Sequence, residues 1–361
     1  MIQIFIAIIL FVIFFVINLL IILFTKTRNI NYSDKKAENK ISVVVAAKNE
    51  EKNISNLIQS LKDSDFSSEN FEVIIVDDES KDNTFLKAQN AANGLNNFQI
   101  HKCKNKIFPA KKGALNFGIN LASNEFILIT DADCLPSKGW LKSYSNKFNE
   151  GFDFISGAAP FIQSNSLVNK ISCFENLRSS LLNFTTANLK IPYSAAARNF
   201  GFRKSSFEKI KGYSNTTETL SGDDDLLLRE AIKNHLKIGT ISGDRSKVYS
   251  NTKKTFKEYL KQKSRHTKTS FYYLPIHKLL LGFWHLLNLL FLFSSIFIFF
   301  NPIFIFPIGI KLFLDIIVVL FTQKNFGYKF NVAEIIYLQI IYECFLIINF
   351  INAIFKKDNW N

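Results

Sequence analysis

Apolar positions in this chain fall into two kinds of run, long unbroken stretches near the termini and short ones in the middle. Ile2 to Phe24 is apolar except for Gln3 and Asn18. As a helix it spans roughly 35 Å, enough to cross a ~30 Å hydrocarbon core. The run has no basic n-region before it and no A-x-A site after it, so residues 1–25 read as an uncleaved anchor. Lys26, Arg28, Lys35 and Lys36 follow at once, which puts the N-terminus outside and the next segment in the cytoplasm. Residues 276–323 read as a transmembrane hairpin, with spans Leu279–Phe300 and Ile303–Phe321. Asn301-Pro302 suits the turn between them, because Pro cannot continue the helix hydrogen bonding. Pro307, Lys311 and Asp315 make the second span imperfect. Residues 331–356 form a third C-terminal apolar helix, which carries Glu334, Gln339, Glu343, Asn349 and Asn352. Such groups are costly in lipid unless they face protein or water. The pattern fits a span or an interfacial helix, and Lys356 and Lys357 tilt it toward the latter.

The middle, residues 40–270, has the pattern of a globular α/β domain. Ile41–Ala47, Phe71–Val76 and Phe126–Thr130 are short β-branched runs without polar alternation, as expected of parallel strands buried on both faces. Glu50–Leu61 and Lys111–Leu121 lie between them, with apolar residues at helical spacing. Strand, helix, strand, helix, strand implies a parallel sheet with right-handed crossovers. Ligands of such sheets sit beyond the carboxyl ends of the strands.

Those ends are where the acids are. Ala47-Lys-Asn-Glu50 follows the first strand, Asp77-Asp78-Glu79-Ser80 the second and Asp131-Ala-Asp133 the third. No G-x-G-x-x-G and no P-loop motif occurs, which disfavours a dinucleotide or Walker-type site. Two carboxylates one residue apart at a strand end are hard oxygen ligands suited to Mg²⁺ or Mn²⁺ on a diphosphate. Alone, such a pair is more often a solvated acidic turn; three acidic strand ends together favour a site. Farther on, Ser221-Gly-Asp-Asp-Asp-Leu-Leu-Leu-Arg229 leads into a helix. Crowded carboxylates can raise one pKa toward that of a general base, and the same run suits a helix N-cap. Both roles are compatible.

Composition agrees with this division. The chain has 361 residues, 48% of them hydrophobic, and a formal net charge of +14. That apolar content excludes a disordered protein. Four dispersed cysteines and five histidines without a metal-binding spacing exclude a disulfide scaffold and a zinc protease. The positive charge lies largely beside the apolar helices, where it fits lipid headgroups better than nucleic acid.

Taken together, VVVAAKNEEKNI (43–54), IIVDDESKDNT (74–84), KKGALNFGIN (111–120), ILITDADCLP (127–136), ARNFGFRKSSFEKIKGY (197–213) and SGDDDLLLR (221–229) resemble a family 2 glycosyltransferase over residues 41–270. The flanking helices resemble its membrane-bound branch, which includes the ceramide glucosyltransferase, cellulose synthase and hyaluronan synthase relatives. The resemblance implies a GT-A fold, a Rossmann-like mixed sheet that binds a nucleotide sugar. It implies an inverting, metal-dependent transfer from a UDP- or GDP-sugar to a hydroxyl of a lipid or lipid-linked acceptor. By the same resemblance Ala47 and Glu50 cradle the nucleotide, Asp78 with Asp77 lies near the base, and Lys111 near the phosphates. Asp131 and Asp133 match the metal-binding D-x-D. The catalytic base matches Asp224 when the motif is read as acidic-Asp, and Asp223 when it is aligned on the downstream Leu and Arg; the first is the working expectation. Gln262 and Arg265 match Q-x-x-R-W on the donor side, with His266 in place of Trp. That replacement bears on acceptor mode, as do Arg198 and Asn199. The expected setting is a bacterial inner membrane with the catalytic domain in the cytoplasm. A processive polysaccharide synthase and a non-catalytic membrane adaptor are the competing expectations; too few spans and the altered Trp count against the first, the complete acid set against the second.

Overall fold

The computed structural model describes residues 2–25 and 39–355. Lys26, Arg28, Lys35 and Lys36, and Lys356 and Lys357, on which the expected topology rests, lie outside the described residues. In chain order the helices are α1 (Ile2–Thr25), α2 (Ile54–Lys62), α3 (Thr84–Ala91), α4 (Ala110–Leu121), α5 (Trp140–Phe148), α6 (Leu167–Asn188), α7 (Lys204–Lys209), α8 (Asp225–Lys233), α9 (Phe256–Ser270), α10 (Pro275–Phe293), α11 (Ile305–Thr322) and α12 (Val332–Phe355). The strands are β1 (Ile41–Ala47), β2 (Phe71–Asp77), β3 (Phe98–Lys102), β4 (Phe126–Asp131), β5 (Cys134–Pro136), β6 (Phe154–Gly157), β7 (Phe200–Arg203), β8 (Ile238–Ile241) and β9 (Val248–Ser250). They divide into two compact units.

The α/β unit comprises Arg28–Ile162 and Lys190–Asn251. Its main sheet has the order β3-β2-β1-β4-β7-β6-β8, and β5 pairs with β9 in a small second sheet. The expected parallel pairing holds for β1, β2 and β4. Beyond β4 the sheet turns mixed, because β7 runs antiparallel to both β4 and β6. Alternation explains how unbroken apolar strands are used. Val43, Val45, Val73 and Ile75 pack under α2 and α5, while Val44, Ile74, Val76 and Ile129 pack under α4 and α8. Gly118 lets α4 lie close to the sheet, since a Cβ there would stand 2.5 Å from Val44 Cγ1. Register then aligns the functional ends: Ala47 sits opposite Asp77, and Ala46 opposite Asp131.

The helical unit comprises Met1–Thr27, Gln163–Leu189 and Thr252–Lys356. Four helical segments, Ile8–Thr25, Pro275–Phe299, Pro302–Phe326 and Val332–Phe355, are long and apolar enough to cross a membrane. Several of their polar residues are buried against protein partners. Lys311 on α11 meets Asp315 at 2.9 Å and, on other helices, Glu343 at 3.1 Å and Asn288 at 2.6 Å. Arg178 on α6 reaches Asp315 at 3.0 Å. Lys170 pairs with Glu334 at 2.6 Å, and Asn349 bonds Ser264 and Thr267 on α9. Lys311, Asp315, Glu334, Glu343 and Asn349 thus have protein partners, and α6 and α9, whose composition reads as part of the globular domain, belong to this unit.

Candidate active site

The carboxyl ends of β1 and β2 continue into two loops that lock together. Asn49 and Glu79 both adopt left-handed backbone, with φ of 57° and 59°. This conformation is uncommon outside glycine and persists where surrounding bonds hold it. Here Asn49 N donates to Ser80 Oγ at 2.9 Å, Lys81 N to Asn49 Oδ1 at 2.8 Å, and Glu50 N to Thr84 Oγ1 at 2.7 Å. The Glu50 carboxylate accepts from Asn53 at 2.7 Å. Ala47 is a buried strand residue whose carbonyl accepts Asp78 N–H at 2.8 Å, so its part in this loop is played by its backbone. Asp78 is buried beside Lys106 at 2.5 Å and Lys48 at 3.8 Å. Asp77 is also buried, and its Oδ1 has no hydrogen-bond partner among the described residues.

Lys111 stands at the centre. Its Nζ lies 2.6 Å from Asp131 Oδ1 and 2.7 Å from Asp223 Oδ2. Burial pushes the ammonium pKa down, but the two carboxylates outweigh it and hold it well above the usual value. The bridge joins the end of β4 to the acidic run before α8, which are 92 residues apart (223 − 131). Its neighbour Lys112 is sealed in the interior and donates to the carbonyls of Thr216 and of Thr219, the latter at 2.9 Å. Arg229 reaches Glu218 at 2.7 Å and the carbonyl of Asn215 at 2.8 Å. These two cations fix the segment that delivers the acids.

The three consecutive acids face different partners. Asp223 takes Lys111; burial pushes its carboxyl up, and Lys111 with help from Lys112 overcomes this and holds it below the usual range. Asp224 caps α8, accepting Asp225 N–H at 2.7 Å on one oxygen and Ala197 N–H at 2.7 Å on the other. Burial, then the charges of Asp225 and Asp223, push its carboxyl well above the usual range. Asp225 accepts from Ser194 and Ala195. Leu226, Leu227 and Leu228 are fully buried behind them and hold α8 in place.

Asp131, Asp133 and Cys134 bring one ligand atom each within 4.8 Å of one another. Burial, reinforced by the two aspartates, pushes the Cys134 thiol well up, and its Sγ–H is turned to Asp133 Oδ1 at 3.6 Å, leaving the aspartates as the hard donors. What remains is a pair of hard oxygen donors, with the Asp131 side chain 30% exposed. That set fits Mg²⁺ or Mn²⁺ with water completing the shell.

Two residues expected on the acceptor side are structural in this geometry. Asn199 has no exposed surface: it accepts from Trp140 and Tyr144, each at 2.8 Å, and donates to the carbonyls of Ala158 and Ser246. Its side chain cannot meet an acceptor. Arg198 commits both guanidinium ends, to Ser250 and to the Ala159 carbonyl at 2.7 Å, and lies over the Phe161 ring. Gln262, Arg265 and His266 lie on α9, in the helical unit. Lys106 and Lys112, which hold the segments of the site in place, were not legible in the sequence; adjacency to Lys111 was the available signal for Lys112, and Lys106 had none.

Comparison with known proteins agrees with the geometry. Residues 42–211 match the family model described as Glycosyl transferase family 2. Over 103 residues the chain is 37% identical to the poly(ribitol-phosphate) beta-N-acetylglucosaminyltransferase TarS of Staphylococcus aureus, covering 28% of this chain and 18% of that one. It is 29% identical over 118 residues to the undecaprenyl-phosphate 4-deoxy-4-formamido-L-arabinose transferase of Proteus mirabilis, covering 32% and 36%. It is 33% identical over 93 residues to the beta-monoglucosyldiacylglycerol synthase of Trichormus variabilis, covering 26% and 20%. The match thus spans well under half the length of each of these relatives. A mannosyltransferase of Pyrobaculum calidifontis, solved with GDP-Man and Mn²⁺, superposes with a TM-score of 0.57 over 97% of this chain and 98% of its own, at 14% identity, a likeness of fold. Residues 42–211, within the α/β unit, thus match family 2 glycosyltransferases and lie on a mixed sheet of GT-A fold, in a chain whose described residues also carry four helices able to cross a membrane.

Proposed function

We propose that this protein is an inverting glycosyltransferase that moves a sugar from a UDP- or GDP-sugar to a hydroxyl of a lipid or lipid-linked acceptor in envelope glycan or glycolipid synthesis. The observation that carries the reading is the Lys111 bridge between Asp131 and Asp223. It puts a cation suited to a diphosphate between a metal-type acid pair and a second acid. The interlocked β1 and β2 loops, with Asp77 and Asp78, supply a preformed seat for the nucleoside. A divalent cation held by Asp131 and Asp133 would offset charge on the leaving diphosphate. Lys111 would do the same from the protein side once its carboxylates share it with phosphate.

Asp223 is the better candidate for the base on position. It faces the Lys111–Asp131 centre, where the anomeric carbon must lie next to the diphosphate, whereas both oxygens of Asp224 already accept backbone N–H groups. Geometry ranks before pKa in choosing a base. Asp223 would take the acceptor proton as the hydroxyl attacks the face opposite the leaving group, with no covalent enzyme intermediate. The apolar helices, together with relatives whose names specify undecaprenyl-phosphate and diacylglycerol products, support an acceptor at the membrane. The basic stretch after α1 supports a cytoplasmic catalytic unit at a bacterial inner membrane. The likeness to the ceramide glucosyltransferase and polysaccharide synthase branch rests on the flanking apolar segments.

The test is to incubate the purified full-length protein with UDP-glucose, UDP-N-acetylglucosamine or GDP-mannose, Mn²⁺ and extracted membrane lipids, and to identify glycosylated lipid by mass spectrometry. Chelation should stop product formation and Mn²⁺ restore it. Failure of every donor to give transfer or hydrolysis would overturn the reading.

A further inference from the structure

The third acid of the run has a job of its own. Asp225 Oδ1 accepts Ser194 Oγ–H at 2.7 Å and Ala195 N–H at 3.1 Å. Two residues on from Ala195, Ala197 N–H donates to Asp224 Oδ2 at 2.7 Å. The next carbonyl, Arg198 O, accepts from Thr130 Oγ1 at 2.8 Å, and Thr130 directly precedes Asp131. The segment Ser194–Arg198 is therefore a strap tied at one end to Asp224 and Asp225 and at the other to Thr130 on β4, the residue before Asp131. Its side chains from Ser194 to Ala197 are small and carry no charge. Behind it the anchor is stiff, since Leu226, Leu227 and Leu228 are fully buried.

We infer that Asp225 is a positioning residue for the acceptor, acting through this strap. The inference rests on the glycosyl-transfer reading above. The donor diphosphate takes the Lys111 and Asp131 side of the centre. A hydroxyl that is to lose its proton to Asp223 must approach along the remaining border, and the strap is the backbone bonded to that same run of acids. Asp225 fixes where the strap lies, so it governs how the acceptor is presented and leaves donor binding alone. The bonds from Ser194 and Ala195 converge on a single oxygen of Asp225. An amide oxygen can accept both equally well, so the role needs the shape of Asp225 and not its charge.

That distinction makes the test sharp. Initial rates would be measured on the full-length protein in mixed micelles with dioleoylglycerol as the acceptor probe. Donor hydrolysis in the absence of acceptor would be followed in parallel. Asp225→Ala should raise the acceptor KM roughly tenfold, as loss of two hydrogen bonds implies, while hydrolysis and the donor KM stay within about twofold. Asp225→Asn should recover most of the lost acceptor KM. Ser194→Ala should raise it about threefold alone and add nothing to Asp225→Ala. An unchanged acceptor KM in Asp225→Ala overturns the inference. So does an Asp225→Asn variant as impaired as the alanine, because charge would then be what matters, and so does joint loss of donor hydrolysis. Hydrogen exchange at the Ala195 and Ala197 amides reads the strap without any turnover. It should quicken in Asp225→Ala and not in Asp225→Asn, and unchanged protection in the alanine variant sinks the strap even if the reaction is another one. Absence of donor turnover in the unaltered protein would count against the glycosyl-transfer reading instead.

Discussion

In the α/β unit, Asp131 and Asp223 share Lys111, with Asp133, Asp224 and Asp225 close along the same segments. In the helical unit, Asp315 and Glu343 are matched by Lys311 and Arg178. The first group is rich in negative charge and partly open, with the Asp131 side chain 30% exposed. The second is balanced, two cations to two anions, and sealed: all four side chains are 0–4% exposed. A closed network completes itself, because ions taken out of water must find their counter-ions inside the fold. An open, unbalanced one is completed by something that binds. The contrast separates charges that hold a structure from charges that receive a ligand, and composition alone does not distinguish them.

The comparison can be broken most strongly at Asp223. Asp223→Asn should lower turnover by about a thousandfold, within the range typical of a general base, while nucleotide binding, measured by calorimetry with UDP or GDP, persists. An Asp223→Asn enzyme with normal turnover would move the base elsewhere, with Asp224 next in line. At the sealed network the loss should appear in stability. Lys311→Met strands Glu343 and weakens the hold on Asp315, and breaking such a buried pair costs about 3–5 kcal/mol. Thermal unfolding in detergent should show a large drop, and adding Glu343→Met should restore most of it, because the Arg178–Asp315 pair remains neutral. If the double variant is worse than the single one, the network is not self-balancing.

A smaller effect is expected at Lys112, which serves the open site by structure alone. Lys112→Met leaves two buried carbonyls without a donor, a cost of about 1–3 kcal/mol each when unmet, and should loosen the 216–222 segment to proteolysis. The weakest effect is a pH signature. Asp224 is held well above 3.8 by burial and by the charges of Asp225 and Asp223. The folded state then binds that proton more tightly than the unfolded chain, so stability falls as pH rises from that ordinary value through the raised one. In Asp224→Asn this loss is absent. Denaturation measured across the window should show the variant gaining on the unaltered protein as pH rises, and parallel curves would deny the raised pKa.

Much of this was legible in residue order. The β1, β2 and β4 strands were, because short unbroken runs of four or five apolar residues are buried on both faces in the interior of a sheet. Their acidic ends followed at once. The helix α6 was not, since residues such as Glu175 and Arg178 read as solvated until their partners on α9 and α11 are known. Asn199 was misleading for a related reason: an amide in a motif looks like a ligand contact, and four hydrogen bonds from distant segments made it a buried hub. The choice between Asp223 and Asp224 turned on which backbone amides and which lysine each one faces.

What the sequence determined by itself is what depends on short-range pattern: the apolar helices, the parallel strands, and the acids placed where those strands end. Tertiary structure alone decided which acid meets Lys111, which cations are sealed with which anions, and that α6 and α9 fold with the apolar helices. The reason is physical. Hydrophobic periodicity is a local property of the chain, whereas the state of a charge is set by counter-ions and hydrogen-bond donors that arrive from far along it.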